Sequence, residues 1–191
     1  MDSISLTIKS YSERVGRAIN DSPINKLEDV TKILLEARAN KRWIYLAGNG
    51  GSASTASHIA NDFVKGLSID GKLRFRTKAL CDSVPIMTSL ANDYSYEIIF
   101  IEQLKNYASE GDIIILISGS GNSPNIVNAA RYGKENGITV ISFTGRDGGE
   151  IRKYSDICCI APTDCMEEIE DVHLEWGHAI VTALRSSIIN E

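Results

Sequence analysis

The sequence predicts an α/β fold: a doubly wound, three-layer sandwich on a parallel sheet of about five strands. Three observations carry this. From residue 42 onward, short apolar runs alternate with stretches of helical periodicity, the pattern of a parallel sheet with right-handed crossovers. The run Asp112–Ile117 is continuously apolar after its first residue, as in a strand covered on both faces. Two Gly/Ser turns, Gly48-Asn49-Gly50-Gly51-Ser52 and Ser118-Gly119-Ser120-Gly121-Asn122-Ser123, each follow an apolar strand, and such sheets bind ligands at the carboxyl ends of their strands.

The elements follow in order. Ile4, Ile8, Tyr11, Val15 and Ile19 recur at helical spacing until Asn20-Asp21-Ser22-Pro23 stops the run. A second helix spans Ile24 to Ala39. This helical preface, residues 1–40, has no strand to pair with, and reads either as a subunit contact or as packing onto the sheet. Arg42–Ala47 is a strand and Ser52–Gly66 a helix. Arg76–Leu80 is a shorter strand, Val84–Ala91 a short helix and Tyr96–Ala108 a longer one. After strand Asp112–Ile117, helix Ser123–Asn136 ends at Gly137. Strands Thr139–Thr144 and Ile157–Ile160 precede a closing helix, Met166–Ile189. The 191 residues form one domain, 1–191.

Bulk properties exclude some classes. A net charge of -5 gives no basic footprint for nucleic acid. No apolar run reaches the roughly 20 residues of a membrane helix, and the N-terminus does not read as a signal peptide. Cys81, Cys158, Cys159 and Cys165 show no CxxC spacing and are expected as reduced thiols of a cytoplasmic protein.

Backbone N–H groups at a helix N-terminus favour an anion. Two such turns suggest a phosphorylated small molecule held between them, with Ser118, Ser120 and Ser123 as neutral donors and Pro124 opening the helix. No GxxxxGK[ST] occurs, and the first turn lacks the context of a GxGxxG dinucleotide site, so no nucleotide cofactor is expected.

The three histidines fall on predicted helices. His58 and Asp62 are one turn apart and point to one side. His173 and His178 lie among carboxylates on the last helix, a candidate for proton transfer or metal binding. The same stretch also reads as a solvated acidic face with two incidental histidines. Periodicity does not choose a carboxylate partner, and Asp171 lies closer to the face of His178 than Glu170 does.

The two turns, His58-Ile59-Ala60-Asn61-Asp62, Asn92-Asp93, Thr144-Gly145-Arg146-Asp147-Gly148-Gly149 and the Glu170–His178 stretch occur in one order. With these residues the chain resembles, over nearly its whole length, the phosphoheptose isomerases of the sugar-isomerase (SIS) domain superfamily. The resemblance implies a flavodoxin-like SIS topology, a helical N-terminal extension that joins subunits, and a homotetramer with shared active sites. It implies conversion of sedoheptulose 7-phosphate to D-glycero-D-manno-heptose 7-phosphate in bacterial heptose biosynthesis, for lipopolysaccharide or capsule.

By the same resemblance the sugar phosphate meets Asn49, Gly50, Gly51, Ser52, Asn92, Asp93, Ser118, Gly119, Ser120, Ser123 and Glu170. The base maps to Asp62 and the acid to His178. A zinc site of some members, one ion per subunit, maps to His58, Asp62, Glu170 and His178. Three positions depart from the family: Asp62 for glutamate, Glu170 for glutamine, and Gly119 for threonine. A non-catalytic adaptor that binds the replication initiator and a sugar-phosphate-sensing domain are the alternative readings from the same superfamily.

Overall fold

A computed structural model describes residues 3–191. Five strands form one parallel sheet: β1 (Trp43–Gly48), β2 (Arg76–Ala79), β3 (Ile113–Ser118), β4 (Thr139–Thr144) and β5 (Ile157–Ile160), in the order β2-β1-β3-β4-β5. This is the predicted doubly wound arrangement. The order reverses direction between β1 and β3, and the crevice outside the carboxyl ends of those two strands is where such sheets take ligands. Gly48 pairs in register with Ile117, so the two Gly/Ser turns emerge level and side by side.

Helices cover both faces, as the unbroken apolarity of β3 requires. On one face lie α1 (Ser3–Asn20), α2 (Ile24–Ala39), α3 (Gly51–Asn61) and α7 (Met166–Ile189). Their buried residues, among them Leu34, Ala56, Ile59, Val172 and Trp176, meet Ile44, Leu46, Ile115, Ile117 and Phe143 of the sheet. On the other face lie α4 (Val84–Asp93), α5 (Ile99–Tyr107) and α6 (Pro124–Glu135), where Ile99, Phe100, Leu104, Ile126 and Ala130 meet Tyr45, Ile114, Leu116 and Val140. Strand β3 alternates its side chains between the two cores. The helix α2 buries Leu27, Val30, Leu34 and Ala37 and belongs to the domain's own outer layer.

Three elements differ from the sequence reading. The helix expected over Ser52–Gly66 begins at Gly51, and from Asp62 to Gly66 it widens into a π-helical turn. Its ladder changes where Leu67 N–H donates to the Asp62 carbonyl at 3.0 Å. The helix expected over Tyr96–Ala108 starts as a 3₁₀ turn, Tyr96–Ile98, capped by Ser95 accepting from Glu97 N–H at 3.0 Å. A further 3₁₀ turn, Glu150–Lys153, follows the Gly148-Gly149 bend.

The closing helix divides its histidines. His173 is fully buried, its Nε2 on the Thr144 carbonyl at 3.0 Å, between Phe143 and Trp176. It is a core residue, and burial pushes its pKa down to about 4. The acidic residues at the start of α7 are structural too: Glu168 accepts from Arg14 and Thr163, each at 2.6 Å, and Asp171 accepts from the Tyr11 hydroxyl at 2.5 Å. The Arg14 and Tyr11 contacts hold α1 against α7.

The His173 shift has a consequence for stability. The unfolded chain takes up a proton on this ring below about pH 6.5, and the folded chain does so only near 4. The contribution is full above pH 6.5 and is lost as pH falls toward 4, by at most about 3 kcal/mol. The expected result is an imidazole that stays neutral by NMR to near pH 4, with urea-unfolding free energy falling across that window. Titration near 6.5 in the folded protein would contradict it.

Candidate active site

The second turn is shaped by close backbone contacts. Gly121 has φ +65°, and a Cβ on it would sit 2.2 Å from the Gly148 carbonyl oxygen, so only glycine serves. Gly145 N–H donates to Gly119 O at 3.0 Å, Ile151 N–H to Gly121 O at 3.0 Å, and Glu150 N–H to Asn122 Oδ1 at 2.8 Å. The Gly145–Ile151 segment thus braces the turn from behind. In front, Gly121 N–H donates to Ser118 Oγ at 3.2 Å, and Ser123 Oγ lies 3.5 Å from Ser118 Oγ. Ser123 is the residue before α6, and its side chain makes no capping bond to the helix.

The first turn is tied to the second by side chains. Asn49 and Asn125 exchange amide hydrogen bonds, both at 2.9 Å, and the Tyr96 hydroxyl donates to Asn49 Oδ1 at 2.9 Å. Asn125 and Tyr96 were missed in the sequence; Asn125, next to Pro124 in the first turn of a helix, carries no local signal of this pairing. Between the turns lies a cavity of about 140 Å³, lined by Asn49, Ser52, Ser118, Gly119, Ser120 and Ser123, with Ile117, Met166 and Glu170 completing it. That volume, small against the several hundred Å³ of most ligand pockets, suits a phosphate group rather than a whole sugar phosphate.

The departure at Gly119 has a steric counterpart. A Cβ there would lie 2.5 Å from the Met166 sulfur, so the thioether fills the space that a larger residue would use. Glu170 faces the other turn: a Cβ on Gly51 would lie 2.6 and 2.7 Å from its two carboxylate oxygens. Asn92 and Asp93 close α4, where Asn92 Nδ2 donates to Asp93 Oδ1 at 2.8 Å; neither lines the cavity. Gly50, with φ +54°, precedes α3 and turns the chain into it.

Along α3 and α7 the structure brings three predicted residues together. His58 Nε2 and His178 Nε2 are 2.9 Å apart, and Asp62 Oδ2 lies 3.4 Å from the first and 3.8 Å from the second. All three ligand atoms lie within 4.8 Å of one another. Asp62 is about three-quarters buried, and the imidazoles are half exposed. Two imidazole nitrogens and one carboxylate oxygen fit zinc, with a coordination position left open. Glu170 stands outside this cluster, over Gly51, so the structure brings together three of the four expected ligands. Glu175, one turn before His178, has its carboxyl raised by burial, partly offset by His178.

Glycines set the approach of the two helices. Gly51 faces Glu170, Gly177 faces Ile59, and Gly66 faces Arg185. The matched order shows that the two helices run in the same direction. At the middle contact a Cβ on Gly177 would lie 2.6 Å from Ile59 Cδ1 and Cγ1. His58 and His178 adjoin this contact in the chain.

The SIS-domain family matches residues 9–145. Among curated relatives, the phosphoheptose isomerase of Sulfurimonas denitrificans is 38% identical over 183 residues, covering 96% of this chain and 93% of its own. That of Clostridium acetobutylicum is 36% identical over 189 residues, covering 98% and 96%. Among solved structures, the phosphoheptose isomerase of Neisseria gonorrhoeae superposes with a TM-score of 0.89 at 26% identity, covering 96% of this chain and 100% of its own. That of Francisella tularensis gives 0.89 at 25%, covering 97% and 100%.

The Gly177 contact predicts a compensating pair. Gly177→Ala overfills the seam, costing about 1–3 kcal/mol, and lowers kcat by parting His178 from Asp62. Ile59→Ala removes both the Cγ1 and the Cδ1 that the new methyl meets, so the double variant loses less than the two single variants summed. Unfolding curves and steady-state rates on the two single variants and the double variant check this; additive losses would contradict it.

Proposed function

We infer that this chain, which belongs to the phosphoheptose isomerase family of SIS-domain proteins, interconverts sedoheptulose 7-phosphate and D-glycero-D-manno-heptose 7-phosphate. It is an aldose–ketose isomerase acting on a heptose phosphate. The observation that carries the site assignment is the meeting of Asp62 with His178 across two helical segments whose N-terminal ends, at Ser52, Met166 and Glu170, line a cavity of phosphate size.

The phosphate binds in that cavity, against Ser118, Ser120 and Ser123, where the N-terminus of α6 adds its dipole. The cavity is too small for the sugar, which extends past Ser52 and Glu170 toward the later turns of α7, where His178 lies. Anchoring the distant phosphate uses binding energy to orient the reacting carbons. Asp62 takes the carbon-bound proton and returns it to the neighbouring carbon. His178 protonates the carbonyl oxygen on C2, giving an enediol, and then takes the proton from the hydroxyl on C1, so that the aldehyde forms there while the C2 hydroxyl remains. The shorter side chain of aspartate is no obstacle to this pairing, since its carboxylate already stands 3.8 Å from His178 Nε2. Zinc, when bound, would be held by His58, Asp62 and His178 and would supply charge stabilisation at the sugar oxygens in place of proton transfer by the ligating atoms.

The helical preface is read as the oligomer contact of a homotetramer. Ile4, Ile8 and Ile24 are exposed, and an apolar groove of about 450 Å³ between α2 and α7 is lined by Leu27, Leu35, Ala179, Ile180 and Ala183. Both features support burial against another copy. Four free thiols support a reducing, cytoplasmic setting.

Proton exchange tests the chemistry. Incubated with sedoheptulose 7-phosphate in deuterated water, the protein should place label at C2 of the aldose. His178→Ala should lower turnover by roughly 10²–10⁴, and Asp62→Asn by at least as much. Absence of turnover with zinc supplied, or near-normal rates in both variants, would contradict the assignment.

A further inference from the structure

We propose that Arg185 is a positioning residue for the reaction: it straps the end of the α3 segment to α7 and so fixes Asp62 against His178. This rests on the assignment of Asp62 and His178 above. The two groups stand on different helices, so no single element sets the gap between them. A misplacement near 1 Å at such a pair can cost about a hundredfold in rate.

The helix that carries Asp62 ends badly for such a task. Its last turn is π-helical from Asp62 to Gly66, a wider and rarer turn than the α-helix, found often at functional sites. The Asp62 carbonyl is held by the amide of Leu67 at 3.0 Å, five residues on. Leu67 is buried in the core, which fixes that amide from below. The carbonyl of Gly66, at the helix end, is one of the groups that a helix leaves without an intrahelical partner.

Arg185 supplies that partner. Its Nε–H donates to Gly66 O at 3.1 Å, and its positive charge stands at a helix C-terminus, where it is favoured. The guanidinium rests where a side chain on residue 66 would project: a Cβ there would lie 3.0 Å from Arg185 Nη2 and 3.9 Å from Asp62 Cβ. Arg185 makes no ion pair among the described residues, so the backbone of the Asp62 turn is what it binds. It lies two turns beyond His178 on α7, and Gly66 lies one turn beyond Asp62, so the strap and the reacting pair occupy the same seam.

A long, exposed side chain gives up rotamer freedom to make this bond, so its loss should affect alignment rather than folding. Arg185→Ala is expected to lower kcat about tenfold with KM held within about twofold, the signature of an interaction that matters at the transition state. The Leu67 amide should exchange with solvent faster, while the melting temperature stays near that of the wild type. Arg185→Lys, which can still donate to the Gly66 carbonyl, should recover most of kcat and of the protection at Leu67. Wild-type kcat in Arg185→Ala, or a loss confined to KM, would overturn the strap. So would a failure of lysine to restore what alanine removes. Asp62→Asn separates the two claims: if it keeps its turnover, the base assignment is what fails, and if it is inactive while Arg185→Ala is normal, the strap alone fails.

Discussion

The site depends on how closely α3 and α7 approach. Each helix carries one half of the proposed proton relay, and neither half means anything without the other. Glycine is the device that permits the approach. At Gly51, Gly177 and Gly66 the missing Cβ makes room for a side chain of the opposite helix: Glu170, Ile59 and Arg185 in turn. Glycine within a helix costs roughly 0.5–1 kcal/mol relative to alanine, and burial of Ile59 and Trp176 in the shared core offsets that cost. The result is a seam tight enough to bring two imidazoles and a carboxylate within ligand distance.

The topology does the rest. Reversal of strand order between β1 and β3 opens a crevice, and both Gly/Ser turns leave the sheet there at the same level. The Asn49–Asn125 amide pair ties them together, so the proposed phosphate cradle is one connected unit rather than two separate loops. Because α3 starts directly from the first turn, the cradle and the seam share an element. In the proposed binding mode, a charged tail held at one end orients a sugar whose other end reaches the seam, with the chemistry several bonds from the anchor. Glu170, on α7 but facing Gly51, stands between these two regions.

Much of this was legible in the residues. The sheet followed from the alternation of apolar runs and helical spacing, and the fully buried β3 from the unbroken Ile113–Ile117 run, because those signals are local. His58 and Asp62 on one face followed from spacing by one turn. What was illegible is long-range or cooperative. Spacing placed His173 and His178 on the same footing, whereas one is a core residue on the Thr144 carbonyl and the other joins the cluster; only the packing of Phe143 and Trp176 distinguishes them. The acidic run of α7 looked like a solvated face or a ligand set, yet Glu168 and Asp171 are claimed by Arg14 and Tyr11, more than 150 positions away. The π turn at Asp62 has no sequence signature, since it depends on Leu67 being drawn into the core and Gly66 being held from α7.

The most direct measurement is a crystal structure of the protein with sedoheptulose 7-phosphate bound, in the assembly it forms in solution. The account predicts phosphate oxygens against Ser118, Ser120 and Ser123, with C1 and C2 of the sugar within reach of both the Asp62 carboxylate and the His178 imidazole. A phosphate bound outside that cavity would contradict it, as would a sugar whose C1 and C2 lie beyond reach of both groups.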